Sequence, residues 1–198
     1  MESLLKQDKN RLKLFKKYGY DIPRARNFIL AKAKLSKGPL LEVGTGKGHM
    51  TKVLAGKGFK LISIDLDKKA QREAGISLKA KKLDKLVTFK IMDGERLRFP
   101  DNCFNAAISV NFIHHAENPV KCLKEMVRVV KEKLIVADLN KRGERIMEKV
   151  HRLDGKRHCV SRMTLNSAKN LLEKFGMSVK TYYDKCQIVL VAEKGENV

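Results

Sequence analysis

No stretch of this 198-residue sequence approaches the roughly 20 consecutive apolar residues that cross a bilayer, although hydrophobic residues make up 43% of it. No membrane-spanning helix is therefore expected. The opening residues, Met1 to Arg11, carry charges of both signs and lack the apolar run and small-residue cleavage site of a secretory leader, which points to the cytoplasm. Cysteine is sparse. Cys103, Cys122, Cys159 and Cys186 lie far apart with no C-x-x-C, which argues against a zinc knuckle or a disulfide scaffold. The sequence also has no internal repeat and no low-complexity tract. Acidic residues are the scarce charge, 22 against 43 basic, for a formal net charge of +21. Such a field attracts polyanions, and RNA is a candidate partner. The lysines are spread along the whole chain, however, with no dense arginine run and no aromatic-interleaved patch. A lysine-rich solvated surface accounts for the charge without nucleic acid.

Apart from the adjacent His114 and His115, histidines gather only at His151, His158 and the neighbouring Cys159. Their spacing matches no helical ligand pair, so a basic loop is preferred to a metal site and no metal is assigned.

What is present begins at Leu40. Residues Leu40, Leu41, Glu42 and Val43 read as a buried strand, Gly44, Gly46 and Gly48 follow at alternate positions, and a helical pattern starts near His49. Glycines in such a turn reach backbone angles other residues avoid and let a ligand lie against the main chain. The dinucleotide fingerprint G-x-G-x-x-G needs glycine where His49 stands, which disfavours a nicotinamide cofactor. Seventeen residues after Gly48, Asp65 ends a second strand running from Phe59. One helix plus one strand fits that interval, so Asp65 is expected beside the glycine loop, where a carboxylate can accept both ribose hydroxyls of an adenosine cofactor.

Further strands are expected over 86–92, 106–110, 134–137, 177–183 and 187–192, the last two as a hairpin. Helices fall between them. Met50, Val53 and Leu54 mark one, Ala70, Ala74 and Leu78 another, and Val120, Leu123, Val127 and Val130 the buried face of a third that starts at Asn118 and Pro119. Ile146, Met147, Val150 and Leu153 repeat at helical spacing, and a last helix runs from Thr164 to Phe175. Residues 1–37 read as a basic helical lead-in broken at Tyr18 to Pro23, with Phe28, Ile29 and Ala31 inward in its second helix. The whole is read as one domain, 1–198, with its core over 38–198.

Glu42, Gly44, Gly46 and Gly48 resemble the first motif of the class I S-adenosylmethionine-dependent methyltransferases, an acidic residue followed by G-x-G-x-G. The segment from Asp93 and Gly94 to Asn105 resembles the family's adenine-contacting aspartate and the loop into the fourth strand, with Asn105 where the family usually has aspartate. His114, His115 and Pro119 are similar to the H-H-x-x-x-P segment of small-molecule methyltransferases that include the quinone-biosynthesis enzymes. The Asn/Asp-Pro-Pro-Tyr/Phe sequence of adenine-N6 enzymes and the Pro-Cys of cytosine-C5 enzymes are absent, which disfavours base methylation by those routes.

The resemblance spans Gly38 to Ala137. It implies an α/β, Rossmann-like three-layer sandwich whose seven-stranded, mostly parallel sheet has an antiparallel C-terminal strand. It implies S-adenosylmethionine as cofactor, held by Glu42, Gly44, Thr45, Gly46, Gly48, Asp65, Leu66, Asp93, Gly94 and Asn111. The implied reaction is in-line methyl transfer to a small-molecule acceptor. RNA or ribosomal-protein methylation, and a non-catalytic regulatory protein that binds the cofactor, are the alternatives. His114 or His115 is best placed as a general base at neutral pH, unless one packs beside the loop and the other is solvated. The lead-in is expected over the cofactor mouth, with Tyr18 and Tyr20 contacting substrate or simply packing. The motifs specify neither the acceptor atom nor an oligomeric state.

Overall fold

Each strand that forms the centre of the molecule is a short apolar run, and alternate residues send their side chains to opposite faces. The computed structural model describes residues 2–155 and 163–195. His158, Cys159 and most of the basic loop after Asp154 lie outside the described residues.

In chain order the elements are α1 (Glu2–Lys17), α2 (Ile22–Ala33), β1 (Leu40–Val43), α3 (His49–Gly56), β2 (Leu61–Asp65), α4 (Lys68–Lys79) and β3 (Val87–Ile91). They continue with β4 (Phe104–Val110), α5 (Pro119–Val129), β5 (Val130–Leu139), α6 (Lys141–Leu153), α7 (Leu165–Lys174), β6 (Met177–Tyr183) and β7 (Gln187–Lys194). One seven-stranded sheet runs β3-β2-β1-β4-β5-β7-β6. β1 to β5 pair in parallel, and β7 is antiparallel to both β5 and β6. This is the mostly parallel α/β sandwich that the strand count implies, with its one reversed strand at the C-terminal end of the chain.

Both faces of the sheet are covered. Leu41 and Val43 face a cluster with Leu123, Met126 and Leu172, on the side of α5 and α7. Leu40 faces Ile29, Leu54 and Leu78, on the side of α2, α3 and α4. β1 is buried along its whole length, as central parallel strands are. Truncating a fully buried leucine such as Leu41 to alanine costs about 2–5 kcal/mol. A third cluster of Phe15, Tyr20, Ile22, Ile146 and Val150 docks the lead-in on α6.

Three helix faces differ from the periodic reading. In α5 the buried side chains are Cys122, Leu123, Met126 and Val129, while Val120 is 45% exposed. Val130 is buried as the first residue of β5, because helix and strand abut with no loop. In α2, Ala31 is exposed, and the inward face is Ile22, Ala25, Arg26, Ile29 and Ala33. In α6, Leu153 is 61% exposed at the last turn. Caps follow the sequence more closely: Asn118 accepts from the Lys121 amide at 3.0 Å, with Pro119 at the first helical position.

The strand order reverses between β1 and β4, so the loops leaving their carboxyl ends diverge and leave a crevice. That crevice holds the candidate site. Among the described residues no helix is long and apolar enough to cross a membrane.

Candidate active site

A cavity of about 530 Å³ opens at this reversal point. Its floor is residues 42–47, 64–67 and 110–112 with Met92 and Gly94, and its walls include Arg11, Phe15, Arg26, His49, Met147 and His151 from the helices. That volume lies within the range of small-ligand sites.

The glycine loop is shaped by several constraints. The Gly44 and Thr45 amides both donate to the Ile64 carbonyl, at 2.9 and 3.0 Å, which turns the chain back over β2. Gly44 (φ +90°) has no room for a side chain, since a Cβ there would meet Phe112 at 2.7 Å. Gly48 (φ +71°) packs against Ala74 in the same way. Gly46 (φ +47°) differs: a Cβ there would meet nothing within 4 Å. The backbone at Gly46 is thus bare on the cavity side, where a ligand can lie against it.

Asp65 stands beside that bare backbone. Its Oδ2 accepts the Gly46 amide at 2.7 Å and its Oδ1 accepts the Asp67 amide at 2.8 Å. An ionised carboxylate has about four acceptor positions, so capacity remains for two hydroxyls. Leu66, next in the chain, is 65% exposed on the cavity wall, an uncovered apolar surface fit for a flat ring. Asp93 sits at the exposed rim, with its Oδ1 accepting the Glu95 amide at 2.9 Å, and does not itself line the cavity. Gly94 does, and a Cβ there would meet Phe112 at 2.9 Å.

Glu42 is 2% exposed. Thr51 and Ser63 each donate a hydroxyl hydrogen to its Oε2 at 2.6 Å. Because Ser63 has one proton and gives it to Glu42, the 2.6 Å contact between Thr45 and Ser63 must have Thr45 as donor. Thr45 in turn accepts from Gln71 at 3.2 Å, so the chain of donors runs from Gln71 through Thr45 and Ser63 into Glu42. Burial pushes the Glu42 carboxyl up to about 7, against those hydrogen bonds and the charge of Arg26, which lower it. His49 opens α3 at the cavity wall. Its burial, helped by the charge of Lys52, holds the imidazole down to about 3, so the nearby Asp8 is paired by Lys52 at 3.0 Å instead.

The histidines predicted from the sequence come together at the far side of the cavity. His114 and His115 follow β4 in a single 3-10 turn, and their ring centroids are 4.0 Å apart. His114 Nδ1 lies 2.7 and 2.8 Å from the two oxygens of Asp138, at the tip of β5. Asp138 was not singled out by sequence reasoning, although an acid closing a strand next to the fourth was its visible signal.

Tyr18 and Tyr20 do not line the cavity. Tyr18 lies under the Lys149 ammonium, 4.3 Å from its ring centroid. Tyr20 is 1% exposed, and its hydroxyl accepts from Arg26 at 3.1 Å and from Asn111 at 3.5 Å. Asn111 itself lines the cavity in a left-handed conformation (φ +55°). Among the described residues no group of three or more His, Cys, Asp or Glu side chains could hold a metal ion.

These features fit an adenosyl ligand with an amino-acid tail: a bare backbone bend, an acid beside it, an exposed apolar face next to the acid, and a second acid buried deeper. Comparison with known proteins agrees. Residues 41–137 match the family model described as a methyltransferase domain. The 2-methyl-6-phytyl-1,4-hydroquinone methyltransferase of Synechocystis is 32% identical over 109 residues, which is 54% of this chain and 33% of that protein. The chain matches about a third of the length of each of its curated relatives. Among solved structures, an S-adenosylmethionine-dependent methyltransferase from Aquifex aeolicus superposes with a TM-score of 0.68 at 21% identity, covering 97% of both chains. The [4+2]-cyclase SpnF shares the fold as well, with a TM-score of 0.72 at 18% identity over 87% of this chain and 81% of that one. Residues 41–137 thus match a methyltransferase domain, on a fold shared with S-adenosylmethionine-dependent methyltransferases.

Proposed function

We propose that this protein binds S-adenosylmethionine in the cavity at the β1/β4 reversal and directs its methyl group to a small-molecule acceptor held beside His114. The observation that carries the reading is the pairing of Gly46, whose open side faces the cavity, with the Asp65 carboxylate 2.7 Å from its amide. In this reading Asp65 accepts the ribose hydroxyls, Leu66 covers the adenine face, Asp93 meets the adenine amine from the rim, and Glu42 faces the ammonium of the methionine end. The cofactor supplies a methyl group already activated on a sulfonium. The protein's task is therefore to align the acceptor in line and keep water out.

His114 supplies a base. A carboxylate carries no proton, so Nδ1 of His114 donates to Asp138 and Nε2 is left as the basic nitrogen. Asp138 is thus a positioning residue that selects the tautomer. A hydroxyl acceptor, whose proton must leave as its oxygen is methylated, suits such a base. The hydroquinone methyltransferase of Synechocystis supports a small aromatic acceptor.

The test is calorimetric titration with S-adenosylhomocysteine, followed by labelled methyl transfer to a panel of phenols and hydroquinones. Tight binding that Asp65→Ala weakens on the order of tenfold or more is expected. A protein that ignores the ligand, or an Asp65→Ala variant with unchanged affinity, overturns the cofactor assignment. Transfer to RNA with no small molecule accepted would move the acceptor to the basic surface.

A further inference from the structure

Arg26 is the one charged side chain on the buried face of α2, 5% exposed and lining the cavity. Its Nη1 donates to the Tyr20 hydroxyl at 3.1 Å and to Gln187 Oε1 at 3.0 Å. Gln187 donates in turn to Asn111 Oδ1 at 2.8 Å, and Asn111 Nδ2 donates to Tyr20 at 3.5 Å, which closes a ring of four side chains. All three partners of the arginine in this ring are neutral. Among the described residues Arg26 forms no ion pair. Its Nε–H is buried and makes no hydrogen bond to any of the described residues.

A guanidinium stays charged at any accessible pH, and a cation removed from water without a counter-anion is costly. Glu42 feels the Arg26 charge, but it is within no ion-pair distance of it and already accepts from Thr51 and Ser63. The cavity wall therefore presents a donor and a positive charge that lack an anion, close to an acid that lacks a cation.

We propose that Arg26 is the anchor for the α-carboxylate of the cofactor's amino-acid end, with Nε and the guanidinium charge completed by that anion while Glu42 takes the neighbouring ammonium. This rests on the cofactor assignment above. The zwitterion answers both unmet charges at once. It also explains why a helix of the lead-in brings an arginine to the cavity: the residue makes the pocket select an intact amino-acid tail over a bare thioadenosine. Tyr20, Gln187 and Asn111 hold the guanidinium in place, so the side chain is oriented before the ligand arrives.

Two calorimetric comparisons test this. Arg26→Met is titrated with S-adenosylhomocysteine and with 5′-methylthioadenosine, which keeps the nucleoside and lacks the amino acid. Affinity for the first should fall about ten- to a hundredfold and for the second stay within about twofold. An equal loss for both would make Arg26 a mere tether between α2 and β7 and overturn the proposal. The wild-type protein is also titrated with decarboxylated S-adenosylmethionine, which decides the matter even if the variant fails to fold. A loss of about tenfold or more against the intact cofactor is expected. Equal affinity overturns the assignment. Wild-type protein that binds none of these ligands would remove the cofactor reading and this inference with it, whereas failure of Arg26 alone leaves the nucleoside bound.

Discussion

His114 and Asp138 meet across the tips of β4 and β5, with Nδ1 2.7 Å from the nearer carboxylate oxygen. Asp138 also accepts its neighbour Leu139's amide at 2.8 Å, so the carboxylate is fixed by the backbone while it holds the ring. Replacing Asp138 by Asn puts a group that can donate as well as accept in that place, and the imidazole loses its tautomer preference. Turnover of Asp138→Asn should fall on the order of 10²–10⁴-fold with cofactor affinity unchanged. Nitrogen NMR of the ligand-free protein should report the Nδ1–H form of His114 in the wild type and a mixture in the variant. A wild-type ring protonated on Nε2 would contradict the assignment.

The glycines of the loop separate stability from binding. Gly48→Ala drives a Cβ to 2.7 Å from Ala74 at φ +71° and should destabilise the fold by about 1–3 kcal/mol in urea titrations. Gly46→Ala meets open space and bears only the left-handed backbone penalty of about 1–2 kcal/mol. Its methyl group would, however, stand where the ligand approaches. The second variant should therefore lose less stability than the first yet bind S-adenosylhomocysteine about tenfold more weakly or worse. The reverse ranking would mean that the open side of Gly46 is not where the ligand lies.

Two buried groups give stability opposite slopes with pH. The Glu42 carboxyl, raised from 4.5 to about 7, holds its proton more tightly in the folded chain. Its contribution is complete below pH 4.5 and is lost as pH rises through about 7, a span of about 3 kcal/mol. Glu42→Gln is neutral at every pH, so it should gain on the wild type by roughly that amount between pH 5 and 8. His49, lowered from 6.5 to about 3, does the opposite: stability is full above pH 6.5 and drains away as pH falls toward 3. His49→Gln should remove that acid-side loss. Denaturant titrations at unit pH steps measure both, and parallel profiles for wild type and Glu42→Gln would show that the carboxyl is not perturbed.

Arg128 pins the loop that leads into β4. Its guanidinium donates to the carbonyls of Phe99 and Leu97, both at 2.8 Å, and to Asp101 and Glu125. A lysine has the charge without the fork and cannot serve these four acceptors together. Arg128→Lys should lose about 1–3 kcal/mol of stability and expose the segment around 97–101 to amide exchange. Unchanged exchange there would show that Phe99 packing on Phe104 is sufficient by itself.

The parts of the site that were legible in the sequence are the local ones. Glu42, the loop glycines and Asp65 lie within one strand-turn-helix-strand unit, and their spacing alone brings them together. His114 and His115 were legible for the same reason, as the residues that leave a strand tip at the carboxyl edge of a parallel sheet. Asp138 was passed over because its pairing with His114 depends on β4 and β5 being neighbours in register, which no local pattern encodes. Arg26 was hidden more deeply, since its neighbour Gln187 is 161 residues away. Its signal was a charge at an inward position of the Ile22, Ala25, Ile29 and Ala33 stripe, where the periodic reading of α2 looked only for apolar residues. The same habit turned the face of α5, where Cys122 and Met126 do the packing that valines were expected to do.

Gln187 opens β7, while Arg26 lies on α2 and Tyr20 just before it. The ring they form with Asn111 closes only when β7 has joined the sheet beside β5. Loosening that strand would cost the arginine its Gln187 partner and leave it tethered by Tyr20 alone, while the glycine bend, the acids and the histidine turn stay in place.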